Sequence, residues 1–423
     1  MRALDRTARP SGWASRSARG ALVLALVPGC LLAPDRPGGD PVSGEPIAVD
    51  PPGCLDPNQP LPFSAVGPLP DGRDGLFRAD ATDGAPRIYE FLPTMSPPGC
   101  YALAFSLPVP PGARVLAIDV AVRAGQSVIT AMVESSHELA FAEVTLDGMG
   151  GAVGSTIGST LAIAPDVVSS SDEPVPTRPR FLRRMPVTED LWFGGGAQIG
   201  VLGEASPGVL GAPVFYGVAA TPAQAWLDAF PLPAQNGGNT AAIVGEAITC
   251  AAHEVVASHE VACVQSPAIR AAPCSQNACN ERDAHVLRDA AGYVGFSVIQ
   301  TATRVVDIEL VTADLLRVEP TLSPRNLDDF YALDVALASR SDNDLDAAVL
   351  WFDDALAVAE VVRYAGAAHS TSTPIAGNRG VTSDAEQLLA GHFSGPMAGF
   401  LVIGPTAGDV SCLGNEPTLA ACP

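Results

Sequence analysis

An all-β chain, arranged as two tandem antiparallel β-sandwich domains, is the fold this sequence predicts, on three observations. Gly and Pro number 41 and 39 in 423 residues and interrupt the chain every few positions, which suits short strands and turns better than long helices. Apolar residues alternate with a period of two in runs such as "RVLAIDVAV" from Arg114 and "RVVDIELV" from Arg304, the pattern of half-buried strands. Hydrophobic residues make up 47% and charged residues 17%, enough for a core and too little charge for global disorder. The length suits about two domains.

The elements follow in order. Residues 1–29 read as a secretory signal peptide. Arg2, Arg6, Arg9, Arg16 and Arg19 precede the apolar run Ala21–Val27, which is too short to span a bilayer. No later stretch reaches about 18 unbroken apolar residues, so no transmembrane helix is expected. Val27, Gly29 and Cys30 resemble a bacterial lipobox, in which the cysteine is acylated and becomes the new N-terminus; Pro28 departs from the small residue usual there. The resemblance implies lipidation at Cys30, a membrane partner through that lipid, and residence at the bacterial outer membrane, periplasmic or surface-facing, since Leu31 and not Asp follows the cysteine. Residues 30–53 hold six prolines and four glycines and read as a flexible tether.

The first sandwich is expected over 54–250 with an inserted loop at 163–188, a Cys-rich linker over 251–281, and the second sandwich over 282–423. Four pairs of similar segments occur in the same order, which points to a diverged duplication. They are 101–107 with 331–337, 139–144 with 356–361, 208–217 with 395–404, and 248–254 with 410–416. Leu345–Val362 also carries helical spacing, but its counterpart is broken by "ESSHE", so two strands around Asp353-Asp354 are preferred. "YALAFSLPVPPGARVLAIDV", through Tyr101, Phe105, Leu107, Gly112, Arg114 and Val115, resembles the bacterial pre-peptidase C-terminal domain. "DLDAAVLWFDDA" and "AGFLVIG" are similar to that family's Asp-rich strand and last strand. This resemblance implies jelly-roll-like sandwiches with binding roles and carries over no catalytic residue.

With Cys30 assigned to lipid, Cys54, Cys100, Cys250, Cys263, Cys274, Cys279, Cys412 and Cys422 remain, an even number that suits disulfides in an exported chain. Eight cysteines allow 105 connectivities. Local pairing is favoured: Cys54 with Cys100, Cys250 with Cys263, Cys274 with Cys279, and Cys412 with Cys422. A zinc site from Cys263, Cys274, Cys279 and His253 or His259 lacks the paired short spacers such sites use.

The net charge of −22 excludes a nucleic-acid partner, and the absence of any lysine removes Schiff-base and P-loop chemistry. Asp342, Asp344, Asp346 and Asp353 occupy positions 1, 3, 5 and 12 of a calcium loop, with Ala347 where glycine is required, so Ca2+ is the one cofactor raised. Arg178, Arg180, Arg183 and Arg184 form the one basic cluster, suited to an anionic envelope partner or glycan. "TCAAHE" lacks a matching serine motif, and the histidines of "HEVVASHE" are six apart rather than four. The sequence thus predicts no catalytic residues and a non-catalytic cell-envelope lipoprotein with a binding or structural role. The alternatives are a secreted hydrolase or its accessory subunit, and a calcium-stabilised surface adhesion module.

Overall fold

Each sheet of the protein is a short antiparallel meander, because turn residues recur before a strand can lengthen. In the computed structural model the described residues run from Glu45 to Leu413. Outside them lie 1–44, 81–85, 94–98, 110–111, 124, 136–137, 147–150, 163–166, 169–173, 176–180, 185–189, 196–197, 207–208, 219–225, 236–237, 246–247, 256–257, 266–281, 286–292, 301–304, 313–330, 342–343, 353–356, 366–370, 382–384, 394–398 and 414–423.

An N-terminal arm carries β1 (Glu45–Ile47), β2 (Val49–Asp50) and β3 (Gly53–Cys54). Sheet one comprises β4 (Phe63–Pro68), β5 (Asp74–Ala79), β6 (Arg87–Phe91) and β8 (Leu103–Ser106), with β7 (Cys100–Tyr101) preceding the last. Sheet two is β9 (Arg114–Arg123), β10 (Gln126–Ser135), β11 (Glu138–Leu146) and β12 (Ala152–Ala162). A two-stranded ribbon, β13 (Val167–Val168) and β14 (Pro174–Val175), leads to sheet three: β15 (Phe181–Arg184), β16 (Leu191–Gly195), β17 (Gln198–Ser206) and β18 (Val209–Val218). Sheet four is β19 (Trp226–Gln235), β20 (Gly238–Gly245), β21 (Ile248–Val255) and β22 (Ser258–Gln265). Sheet five is β23 (Arg282–His285), β24 (Tyr293–Gln300) and β25 (Val305–Thr312). Sheet six is β26 (Tyr331–Ser341), β27 (Asp344–Phe352), β28 (Ala357–Ala365) and β29 (Thr371–Val381). Sheet seven is β30 (Gln387–Gly391), β31 (Gly399–Ile403) and β32 (Val410–Leu413).

The chain is all-β among the described residues, as expected. The hairpins flanking "ESSHE" and Asp353-Asp354 form as expected, and Leu345–Val362 is two strands. The Greek-key crossovers of a jelly roll are not what the strand order shows: the main strands of each sheet pair in chain order, β6 lying next to β8, and β1 and β2 of the N-terminal arm add at the edges of sheets two and one. Neighbouring sheets do pack face to face, but sheet two is covered on both sides. Val115, Ile118 and Val120 of β9 join a core with Phe77, Ile88 and Phe105 of sheet one. Ala117 of β9, with Met132 and Phe141, joins a second core with Leu182, Leu191, Phe193 and Leu202 of sheet three. A sandwich leaves one face of each sheet to water; the alternation read as buried against solvent is here buried against buried. The edge-to-face contact of Phe141 with Phe193, centroids 5.2 Å apart, adds about 0.5–1.5 kcal/mol to that second core.

The first strands touch in sequence: β4 against β9, β9 against β15, β15 against β19, β19 against β23, β23 against β26, and β26 against β30. β30 in turn touches β4, so the contacts return to their start. β4 approaches β9 so closely that a Cβ on Gly67 would lie 2.4 Å from Val120 Cβ and 2.8 Å from Val120 O. Between sheets one and seven, Leu61, Leu76, Tyr89 and Phe91 pack with Phe393, Leu401 and Ile403. Residues 57–61 complete this seam, since Leu61 N–H donates to Pro405 O at 2.7 Å and Ala407 N–H donates to Gln59 O at 2.9 Å.

Three expected boundaries move. The tether expected over 30–53 becomes strand from Glu45, where β1 extends the outer edge of β12 and β2 that of β8; Pro46 is tolerated because an edge strand needs donors on one side only. The loop expected over 163–188 contains β15, whose Phe181 and Leu182 are core. The boundary expected at 250/251 falls inside β21, and Gly39–Pro423 is one compact unit.

Candidate functional site

The seam between sheets two and three holds a cluster of buried charge. Asp119 on β9, Thr130 on β10 and Glu143 on β11 stand directly opposite one another across the strands. The period-two alternation therefore turns all three to one face, toward sheet three. Across the seam β15 brings Arg184. Its main-chain N–H donates to Asp119 Oδ2 at 2.7 Å, and its Nη2 donates to Thr130 Oγ1 at 3.2 Å. The Arg184 guanidinium is ion-paired with Glu143, and Arg123 Nη1 stands 3.6 Å from the other Glu143 oxygen. Thr130, Glu143 and Arg184 are buried. Withdrawal from water pushes the Asp119 carboxyl up, against the opposing pull of Arg183 and of the Arg184 N–H. The groups named here are engaged with one another and tie sheet two to sheet three.

A second buried cation sits between sheets one and seven. Arg78 on β5 is fully buried; its Nη2 donates to Leu61 O at 2.6 Å and Gly404 O at 2.5 Å, and its Nη1 donates to Thr406 O at 2.6 Å. Its Nε donates to Ser64 Oγ at 3.2 Å. Burial lowers its pKa to about 10, with Asp409 and Glu386 opposing the shift. Sequence reasoning missed this residue. Its signal was an arginine after "GLF", inside a strand with apolar residues of both parities.

The expected site residues are dispersed. Arg184 is a buried inter-sheet cation rather than part of an exposed basic patch, because it follows Phe181 and Leu182 in a strand that both neighbours cover. Arg183 is half-buried, with Nη1 donating to Leu182 O at 2.9 Å; Arg178 and Arg180 lie outside the described residues. Of the calcium template, Asp346 is buried and accepts from Arg363 Nε at 2.8 Å and Nη2 at 3.2 Å, its directly opposite neighbour on β28. A guanidinium thus occupies the oxygens a cation would need. Asp344 opens β27, and Asp342 and Asp353 lie outside the described residues.

Cys54 and Cys100 form a disulfide, as expected, across β3 and β7. Cys412 is also disulfide-bonded, while Cys422, its expected partner, lies outside the described residues, as do Cys274, Cys279 and Cys30. Cys250 and Cys263 are register partners on β21 and β22. Trp192 and Trp351 are core residues. No helix among the described residues is long and apolar enough to cross a membrane.

No protein-family model matches this chain, and no curated protein sequence matches it. Among solved structures the chain is similar to the Dos1 propeller, at 10% identity and TM-score 0.43, over 88% of this chain and 96% of that one. It is similar to oligopeptidase B from Leishmania major at 9% identity and TM-score 0.41, over 85% and 49%. It is similar to the NanB sialidase from Streptococcus pneumoniae at 8% identity and TM-score 0.40, over 85% and 68%.

Proposed function

We propose that this chain is a seven-bladed β-propeller on a lipidated arm, serving as a non-catalytic binding or structural module of the bacterial cell envelope. The observation that carries the propeller is the run of first-strand contacts from β4 through β30 and back to β4. A propeller is a set of meander sheets repeated around a centre, which leaves only short, protected edges. The non-catalytic role is supported by the use of the buried charges around Arg184 and Arg78, which join one sheet to the next. Export is supported by the apolar leader ending in Val27-Pro28-Gly29-Cys30 and by the disulfides at Cys54–Cys100 and Cys412, which suit an oxidising compartment. Three acyl chains, as the lipobox resemblance implies, would hold firmly where one would bind marginally.

Palmitate labelling in a Gram-negative host tests the anchor. The parent should incorporate label and Cys30→Ala should not; equal labelling of both overturns lipidation. Solution scattering of the chain without residues 1–29 tests the ring. A single globule of this length has a radius of gyration of about 21 Å; a two-lobed distance distribution would favour tandem sandwiches instead.

A further inference from the structure

We infer that Cys54–Cys100 is a redox-operated lock on a strap, residues 45–61, that spans sheets two, one and seven. The strap is built from weak pieces. β1 meets β12 through three residue pairs, β2 meets β8 through two, and β3 meets β7 through two. Beyond them Leu55 N–H donates to Gly99 O, Gly408 N–H to Pro57 O, Ala407 N–H to Gln59 O, Leu61 N–H to Pro405 O, Gln59 Nε2 to Tyr89 Oη, and Arg78 to Leu61 O, and Asp50 pairs with Arg87. Two- and three-residue edge strands open easily on their own, and elements of this kind belong to the low-stability end of a structure. The bridge joins residues 46 apart in sequence and holds the strap at its middle. Cys54 is exposed and Cys100 half-exposed, so the bond is within reach of a reagent in solution, unlike Cys412, which is 8% exposed.

Opening proceeds by thiol–disulfide exchange with a dithiol reductant. One thiolate attacks Cys54 Sγ, the Cys54–Cys100 bond breaks, and the Cys100 thiolate leaves and takes a proton. The second thiol of the reductant then displaces the Cys54 thiolate and closes the reductant's own disulfide. Two electrons pass to the protein and two thiols replace one bond. The strap, no longer tied, peels from the outer edges of β8 and β12 and from the seam of sheets one and seven.

The test is hydrogen exchange on the full chain before and after native reduction by dithiothreitol, with alkylation and peptide mass mapping to establish which cysteines opened. Reduction should label Cys54 and Cys100 and speed exchange at 45–61 and 404–408 by about tenfold or more, which corresponds to about 1.4 kcal/mol of local opening. β27 and β28 should keep their protection. The double variant Cys54→Ser/Cys100→Ser should show the reduced pattern at once and change no further with dithiothreitol, which separates this bridge from the one at Cys412. Unchanged exchange after mapped reduction overturns the lock, and loss of protection throughout the molecule would make the bridge a global staple instead.

Discussion

At the residue scale, several charges have been taken out of water, some paired across the seams and some not. Arg184 is tied to Glu143, Thr130 and, through its main chain, Asp119. Arg184→Ala would take from buried Glu143 its closest cation, leaving Arg123 3.6 Å away, and should cost up to about 3–5 kcal/mol in denaturant unfolding. Adding Glu143→Leu should recover a large part of that loss, and additive losses in the double variant would refute the pairing. Glu90 presents the opposite case. It is buried, its Oε2 makes no hydrogen bond, and burial, with a smaller push from Asp71, raises its pKa to about 7. Its folded pKa lies above the ordinary 4.5, so folding favours the protonated form. The resulting penalty on stability grows as pH rises from about 4.5 to about 7 and is complete above that. Glu90→Gln should therefore stabilise the fold at pH 8 by up to about 3 kcal/mol and change little at pH 4, a difference that thermal melts at the two pH values measure.

At the element scale, the approach of β4 to β9 depends on a missing side chain. Gly67→Ala places a methyl group into Val120, including its carbonyl, and should lower stability by about 1–3 kcal/mol, read as a lower unfolding midpoint with an unchanged m-value. The same scale shows where the similar segments fall in the sheets. Tyr101–Leu107 lies at the outer edge of sheet one, whereas Tyr331–Leu337 is the first strand of sheet six. "LAFAEV" and "LAVAEV" are both third strands, yet Glu143 faces the following sheet while Ala359 and Val361 do so in sheet six, leaving Glu360 on the other face. A one-residue slip reverses every side chain. The structurally matching pair is "AIDVAV" with "ALDVAL". Asp119 accepts the Arg184 N–H of β15, and Asp334 accepts the Leu388 N–H of β30 at 2.5 Å. In each case the first strand of one sheet is fastened to the first strand of the next. That correspondence was present in the sequence but hidden in an Ala- and Val-rich background.

At the scale of the whole molecule, residues 57–61 and 404–408 meet in the seam between sheets one and seven. Arg78 bridges Leu61 to Gly404 and Thr406. Arg78→Met should leave those carbonyls without their donor and cost about 3 kcal/mol or more. Hydrogen exchange should rise first at 57–61 and 404–408, and a uniform rise across all sheets would argue against a local role.

Composition and period-two patterning were sufficient for the all-β class and for the hairpins around "ESSHE" and Asp353-Asp354, because these depend on neighbours within a few residues. The pairing of Cys54 with Cys100 was also legible, as a local closure. The number of sheets and what covers each face were not. Alternation records that a strand has two unlike sides, and a small side chain such as Ala117 facing another sheet reads the same as one facing water. Nor could the sequence assign Arg184, Asp346 or Arg78, since a charged residue looks identical whether it meets solvent or a partner hundreds of positions away. That choice is made only when sheets pack, because the energy of a buried charge is set by the group brought opposite it.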